Sequence, residues 1–255
     1  MSLTIVMTTH TREPSYLEES LKSYHETCPH PLNLLVHETV NVSESLESKR
    51  RVEALLAFPI RTIKTLTDEE NAEKQSLGTR VRVAHATRLA LEMADGECIL
   101  FQDDVKFSPG WLGKLADHLS ALEERDNALV SLYSHRQSQV EGLVRWDPKT
   151  YWGLQGMFFG KAARLAAIEK AFQTSGPARL WPKENNSSSP GADVRLQKFL
   201  LDNSAFILYA VYPSLVQHTG MVSSIASKMK DMKSPTFQEP RSPVTWPKSH
   251  LKRSR

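Results

Sequence analysis

Apolar residues along the chain come in short runs broken by turn-forming clusters. The run LTIVMTT, Leu3–Thr9, reads as a buried strand leading into the polar loop HTRE. PSYLEESLKSYHET follows, with Pro14 near a helix start and Tyr16, Leu17, Leu21 and Tyr24 on one side. LNLLVHETV predicts a second strand and IRTIKTLT a third. SLGTRVRVAHATRLALEMADGE predicts a helix, because Val83, Ala86, Ala90 and Met93 recur at helical spacing, and Gly96 is expected to end it. CILFQDD is the next strand, PGWLGKLADHLSALEE a helix opened by Pro109, and ALVSLYS another strand. After Ser134 the rhythm weakens. WDPKTYWGLQGMFFGKAARLAAIEKAF holds a glycine-containing loop, a short apolar run and a helix. LWPKENNSSSPG is a polar loop, ADVRLQKFLLDN a helix, AFILYAVYP a strand and SLVQHTGMVSS a loop. Strand–helix alternation of this kind predicts an α/β sandwich with a mainly parallel central sheet.

The 255 residues suffice for one large domain or two small ones. No run of about 18 apolar residues occurs, which predicts no membrane-spanning helix. The N-terminus lacks a basic region before a long apolar core, which predicts no signal peptide. Two cysteines, Cys28 and Cys98, without CxxC spacing, are expected to be reduced thiols of a cytoplasmic protein, the host cytoplasm if the gene is a phage's. The net charge of +3 conceals an asymmetry. From Lys228 onward eight Lys/Arg face only Asp231 and Glu239, so the tail carries +6 and the rest of the chain −3. The tail is also rich in proline: Pro235, Pro240, Pro243 and Pro247. We therefore divide the chain into a body, 1–227, and a basic, flexible tail, 228–255. Such a tail is either a solubilising end or an arm for a polyanion such as nucleic acid or an anionic membrane surface. A cut after Lys233 is expected to leave the body's sites whole.

The chemistry concentrates where ECILFQDDV ends. A buried strand delivers two adjacent acids, Asp103 and Asp104, to its carboxyl end. Like charges side by side repel and gain nothing for folding. Ligands of open α/β sheets bind at that edge. Hard carboxylate oxygens suit Mg²⁺ or Mn²⁺, which also take water and substrate phosphate oxygens. The competing role, a helix-capping pair, is disfavoured because the next helix more naturally starts at Ser108-Pro109.

Five segments in order, a first strand with a polar loop, ILFQDDV, GLQGMFFGKAA, GADVRL and PSLVQHTG, resemble the GT-A glycosyltransferases, which move a sugar from a nucleotide donor. The resemblance spans roughly residues 3 to 225. QDD resembles the family's DXD or EDD motif, with Gln102 in place of the first acid. It implies a GT-A-like Rossmann-type fold and a metal site of Asp104 and His218, the histidine of VQHTG, completed by the donor diphosphate. Asp103, with Gln102, would orient the donor. Asp193, which opens the late helix, would be the general base, which implies an inverting reaction. Trp152, Gly153 and Gly156 would form the acceptor loop. By position, Thr8, Thr9, His10, Arg12, Glu38, Arg80, Ser223 and Ser224 would meet the nucleotide and diphosphate. PSLVQHTGMVSS is locally similar to the branching N-acetylglucosaminyltransferases, which does not fix the acceptor. Neither a Walker sequence nor GxGxxG occurs, which argues against a P-loop NTPase or an NAD enzyme.

The expected activity is metal-dependent transfer from a UDP-sugar. Two acceptor classes stay open: a hydroxymethylated base in DNA, reached by the basic tail as in some phage enzymes, or a bacterial glycan or lipid-linked sugar. Two other classes compete with transfer. A sugar-nucleotidyltransferase would want a glycine- and lysine-rich N-terminal signature that MTTHTREP lacks. A non-catalytic nucleic-acid-binding protein could use the same fold in degenerate form.

Overall fold

The computed structural model describes residues 3–9, 16–28, 30–36, 60–65, 79–135, 140–151, 153–173, 191–219 and 234–237. These form ten strands: β1 (Leu3–Thr9), β2 (Leu32–Val36), β3 (Ile60–Thr65), β4 (Glu97–Gln102), β5 (Val105–Phe107), β6 (Ala128–Ser131), β7 (Gly142–Arg145), β8 (Gly156–Phe159), β9 (Ile207–Tyr212) and β10 (Val216–His218). Five α-helices accompany them: α1 (Leu17–Thr27), α2 (Thr79–Glu92), α3 (Trp111–Ser120), α4 (Lys161–Ala166, continued by a π-helical turn to Ala171) and α5 (Ala192–Asp202). Among the described residues the main sheet has eight strands in the order β3-β2-β1-β4-β8-β6-β9-β7. All but β8 and β7 point the same way. The expected α/β architecture with a mainly parallel sheet is what the chain adopts.

The central strands are apolar throughout because helices cover both faces. Side chains of β4 alternate between two cores. Cys98 and Leu100 join α2, α4 and α5 on one face, while Ile99 and Phe101 join α1 and α3 on the other. Burial pushes the Cys98 thiol up to about 12, so it stays protonated and acts as a small apolar filler. Arg164 donates to the carbonyls of Leu91 and Gly96 at 2.7 and 2.8 Å, giving partners to carbonyls at the C-terminal end of α2. That helix ends at Glu92, short of the expected Gly96.

Three short strands escape the hydrophobic pattern. β5 and β10 pair antiparallel in a small second sheet, the first in a stretch given no element from sequence and the second in one expected to be loop. β7 adds to the outer edge of the main sheet beside β9. α3 starts at Trp111 rather than Pro109, with Gly110 as its N-cap at φ +65°.

At the amino end of β4, Glu97 is buried and Arg125 meets it with two nitrogens, both at 2.5 Å. Removing the cation alone strands a buried carboxylate, so Arg125→Met should cost about 3–5 kcal/mol. Chemical denaturation measures this, and Arg125→Met with Glu97→Leu should recover most of the loss. A single substitution costing under 1 kcal/mol would mean that water reaches Glu97.

Candidate functional site

The acid pair occupies a two-residue turn between β4 and β5, and buried aromatic rings hold both ends of it. Phe101 and Phe107 meet edge to face at 4.8 Å, and both pack on Trp111 at 5.4 Å. Helix α1 grips the same turn with two hydroxyls. Ser20 Oγ donates to the Asp103 carbonyl at 2.6 Å and accepts from the Val105 N–H at 3.1 Å. Ser23 Oγ accepts from the Phe107 N–H at 2.9 Å. Asp103 and Asp104 therefore cap no helix. They sit in a rigid, largely buried turn at the carboxyl edge of the parallel strands.

The two carboxylates have different surroundings. Asp103 accepts a 2.6 Å hydrogen bond from Thr9 Oγ1 at the end of β1. Asp104 Oδ2 lies 3.4 Å from His218 Nε2, and the Thr219 N–H donates to the Asp104 carbonyl at 2.8 Å. The β5–β10 pairing creates this approach by setting His218 opposite Val105. Two cis ligands of one ion with bonds of about 2.1 Å lie roughly 3 Å apart. A carboxylate oxygen and an imidazole nitrogen at this separation therefore fit one Mg²⁺ or Mn²⁺. Among the described residues no group of three His, Cys, Asp or Glu side chains forms. A bound ion would take its other ligands from substrate and water.

Asp193 is the second residue of α5, whose N-cap is Gly191. The side chain is half-buried, and its Oδ1 would come within 2.7 Å of a Cβ on Gly191. One turn further along the same face, Gln197 Nε2 donates to the carbonyls of Pro148, Lys149 and Tyr151 at 3.0–3.2 Å. β7 ends opposite Tyr209, at the amino end of β9, and β8 starts opposite Phe101, at the carboxyl end of β4. The connection 146–155 therefore climbs the sheet alongside α5 and arrives at the edge that bears the acids. Tyr151 is buried in that loop and donates to the Gly153 carbonyl. Burial, and secondarily the charge of Asp193, hold its phenol well above the ordinary range, so it remains a donor. Gly153 has φ +91°, a conformation open to glycine at little cost. Gly156 lies inside β8, where a Cβ would come within 3.0–3.1 Å of Phe101 and Val216. Its missing side chain serves packing beneath the acid turn.

The sequence-predicted residues thus fall into groups. Asp104 and His218 meet, Thr9 meets Asp103, and the charge of Asp193 acts on the phenol of Tyr151, which bonds to Gly153. The Thr8 hydroxyl donates to the Phe101 carbonyl at 3.3 Å, joining β1 to β4. Gln102 is half-buried at the end of β4, its N–H donating to the Gln155 carbonyl at 3.4 Å. His10, Arg12, Glu38, Trp152, Ser223 and Ser224 lie outside the described residues, and of Arg80 only the backbone, in α2, is described. Sequence reasoning missed Ser20, Ser23, Tyr151 and Gln197. Ser20 and Ser23, one turn apart beside the apolar stripe of α1, were the available signal. It also missed Tyr133 and His135 beyond β6, whose rings lie 6.5 Å from His218 and 6.0 Å from Trp146.

No protein-family model matches the sequence, and no curated protein matches it. Solved structures do match in shape. Residues 1–349 of TarS from S. aureus superpose with a TM-score of 0.50 at 13% identity, over 83% of this chain and 60% of that one. GalNAc-T7, solved with UDP, GalNAc and Mn²⁺, gives 0.54 at 10% identity, over 85% of this chain and 43% of that one. The chain thus spans under two thirds of either neighbour. The likeness, together with the sheet order and the acid turn after β4, concerns the backbone: the chain has the GT-A glycosyltransferase fold.

Proposed function

We propose that this protein is a glycosyltransferase that moves a sugar from a UDP-sugar to an acceptor hydroxyl with inversion, using Mn²⁺ or Mg²⁺. The observation that carries the proposal is the 3.4 Å approach of His218 to Asp104 in the turn after β4. GalNAc-T7, of the same fold, was solved with UDP, GalNAc and Mn²⁺, which supports a nucleotide diphosphate and a divalent ion as the ligands to test. A divalent ion bound in that turn neutralises charge on the departing diphosphate. Asp104 and His218 would hold it. Asp103, fixed by Thr9, orients the donor. Asp193 takes the acceptor hydroxyl's proton as that oxygen bonds to the anomeric carbon, while the bond from that carbon to the diphosphate oxygen breaks and UDP leaves with the electron pair. The loop of Trp152 and Gly153 would line the acceptor's side. Mn²⁺-dependent release of UDP from a UDP-sugar, lost on chelation, tests the proposal and separates it from a non-catalytic binding protein.

For the acceptor, the +6 tail favours a polyanion, and we propose a hydroxymethylated base in DNA. Changing Arg241, Lys248, Lys252, Arg253 and Arg255 to Gln together should weaken duplex binding and flatten its salt dependence. UDP release from the donor should stay level. Duplex binding at two salt concentrations measures this. Equal, salt-insensitive binding by both proteins would point to a bacterial glycan or lipid-linked acceptor instead. No helix among the described residues is long and apolar enough to cross a membrane.

A further inference from the structure

Four residues of the basic tail, Ser234–Phe237, are described, and they do not stand apart from the body. The Ser234 N–H donates to Gln217 Oε1 at 2.9 Å. Ser234 Oγ donates to Ser214 Oγ at 2.8 Å, and the Ser214 N–H donates to Thr236 Oγ1 at 3.2 Å. Ser214 Oγ also accepts from the Ser134 N–H at 2.9 Å, and the Ser134 hydroxyl pairs with that of Tyr212 at 2.8 Å. Ser134, Ser214, Gln217 and Ser234 are all buried. The cluster ties the tail to the end of β6 and to the start of β10. A cut after Lys233, expected from sequence to spare the body, would remove its outer half.

Position gives the cluster its meaning. Gln217 directly precedes His218, and neighbouring side chains of a strand point to opposite faces. The tail therefore grips β10 from behind the face that presents His218. β10 is only three residues long and has one paired neighbour, β5, among the described strands. We infer that residues 234–237 act as a clasp that backs β10 and so positions His218 against Asp104, an inference that rests on the metal-site proposal above. Ser214, Gln217 and Ser234 are positioning residues, since none of them meets the reacting atoms.

The test is UDP binding by calorimetry, with and without Mn²⁺, on full-length variants whose thermal unfolding is recorded. Gln217→Met keeps the length of the side chain and removes the acceptor for Ser234. Outer partners of metal ligands change metal affinity by about 10–100-fold. Mn²⁺-dependent UDP binding should weaken by that order in Gln217→Met, while metal-free UDP binding stays the same. Gln217→Glu, which restores an acceptor oxygen, should recover it. A merely structural cluster would lower the unfolding temperature and leave the metal-dependent part of binding intact, which would overturn the inference. If Gln217→Met fails to fold, Ser234→Ala with Thr236→Val, at the outer side of the cluster, decides by the same comparison. Asp104→Ala separates the two claims. Its loss of Mn²⁺–UDP binding beside normal binding by the clasp variants would overturn the clasp alone. Normal binding by all of them would overturn the metal pair, and the clasp with it.

Discussion

Asp193→Asn should lower kcat by about 10²–10⁴-fold, the range lost with a general base. The substitution keeps the size of the side chain and removes its ability to take a proton at neutral pH. The fold should survive, because Gly191, not residue 193, is the N-cap of α5. What the helix forgoes is a first-turn negative charge, worth about 0.3–1 kcal/mol. Gln197 keeps its three carbonyl partners, so the loop stays docked. Tyr151 stays protonated, since burial is the larger cause of its raised pKa and Asp193 the smaller. Donor affinity should be nearly unchanged if Asp193 serves the acceptor, as proposed. Steady-state kinetics beside calorimetric UDP titration separates the two effects, and the anomeric configuration of the product checks inversion. Near-normal turnover, or a product of retained configuration, would reduce Asp193 to a helix-terminus acid.

Asp104→Ala should abolish Mn²⁺-dependent stabilisation by UDP. A ligand at a hundredfold excess over its Kd stabilises by about 2.7 kcal/mol, which in a chain of this size is roughly 5–10 °C in Tm. The variant should lose that shift while keeping its ligand-free Tm close to the parent's. The turn is held by backbone bonds to Ser20, Ser23 and Thr219 that do not involve the Asp104 carboxylate. Activity that resists EDTA, or an active Asp104→Ala, would refute the metal site.

Legibility followed the range of the forces involved. β1, β4 and β6 were readable because strands covered on both faces must be apolar end to end. α1 was readable because its stripe of Tyr16, Leu17, Leu21 and Tyr24 lies on one buried side. β5, β7 and β10 were not readable. Each has only three or four residues, too few for a period to show, and pairs with a strand distant in sequence. Gly156 was read as part of the acceptor loop. Only its packed neighbours, Phe101 and Val216, reveal that the space is already filled.

The sequence by itself determined the α/β class, the delivery of Asp103 and Asp104 to the end of a buried strand, the acid opening the late helix, and the sign of the tail's charge. These are local matters of periodicity, turn chemistry and composition. Tertiary structure alone decided which side chains meet. His218 reaches Asp104 because β10 pairs with β5 across more than a hundred residues. Thr9 reaches Asp103 because β1 lies beside β4. The tail reaches Gln217 through a cluster of buried hydroxyls, each an ordinary serine or threonine in the sequence. Serines of that kind carry no period. Their partners are chosen by proximity in the fold, where a buried polar group must find a hydrogen bond.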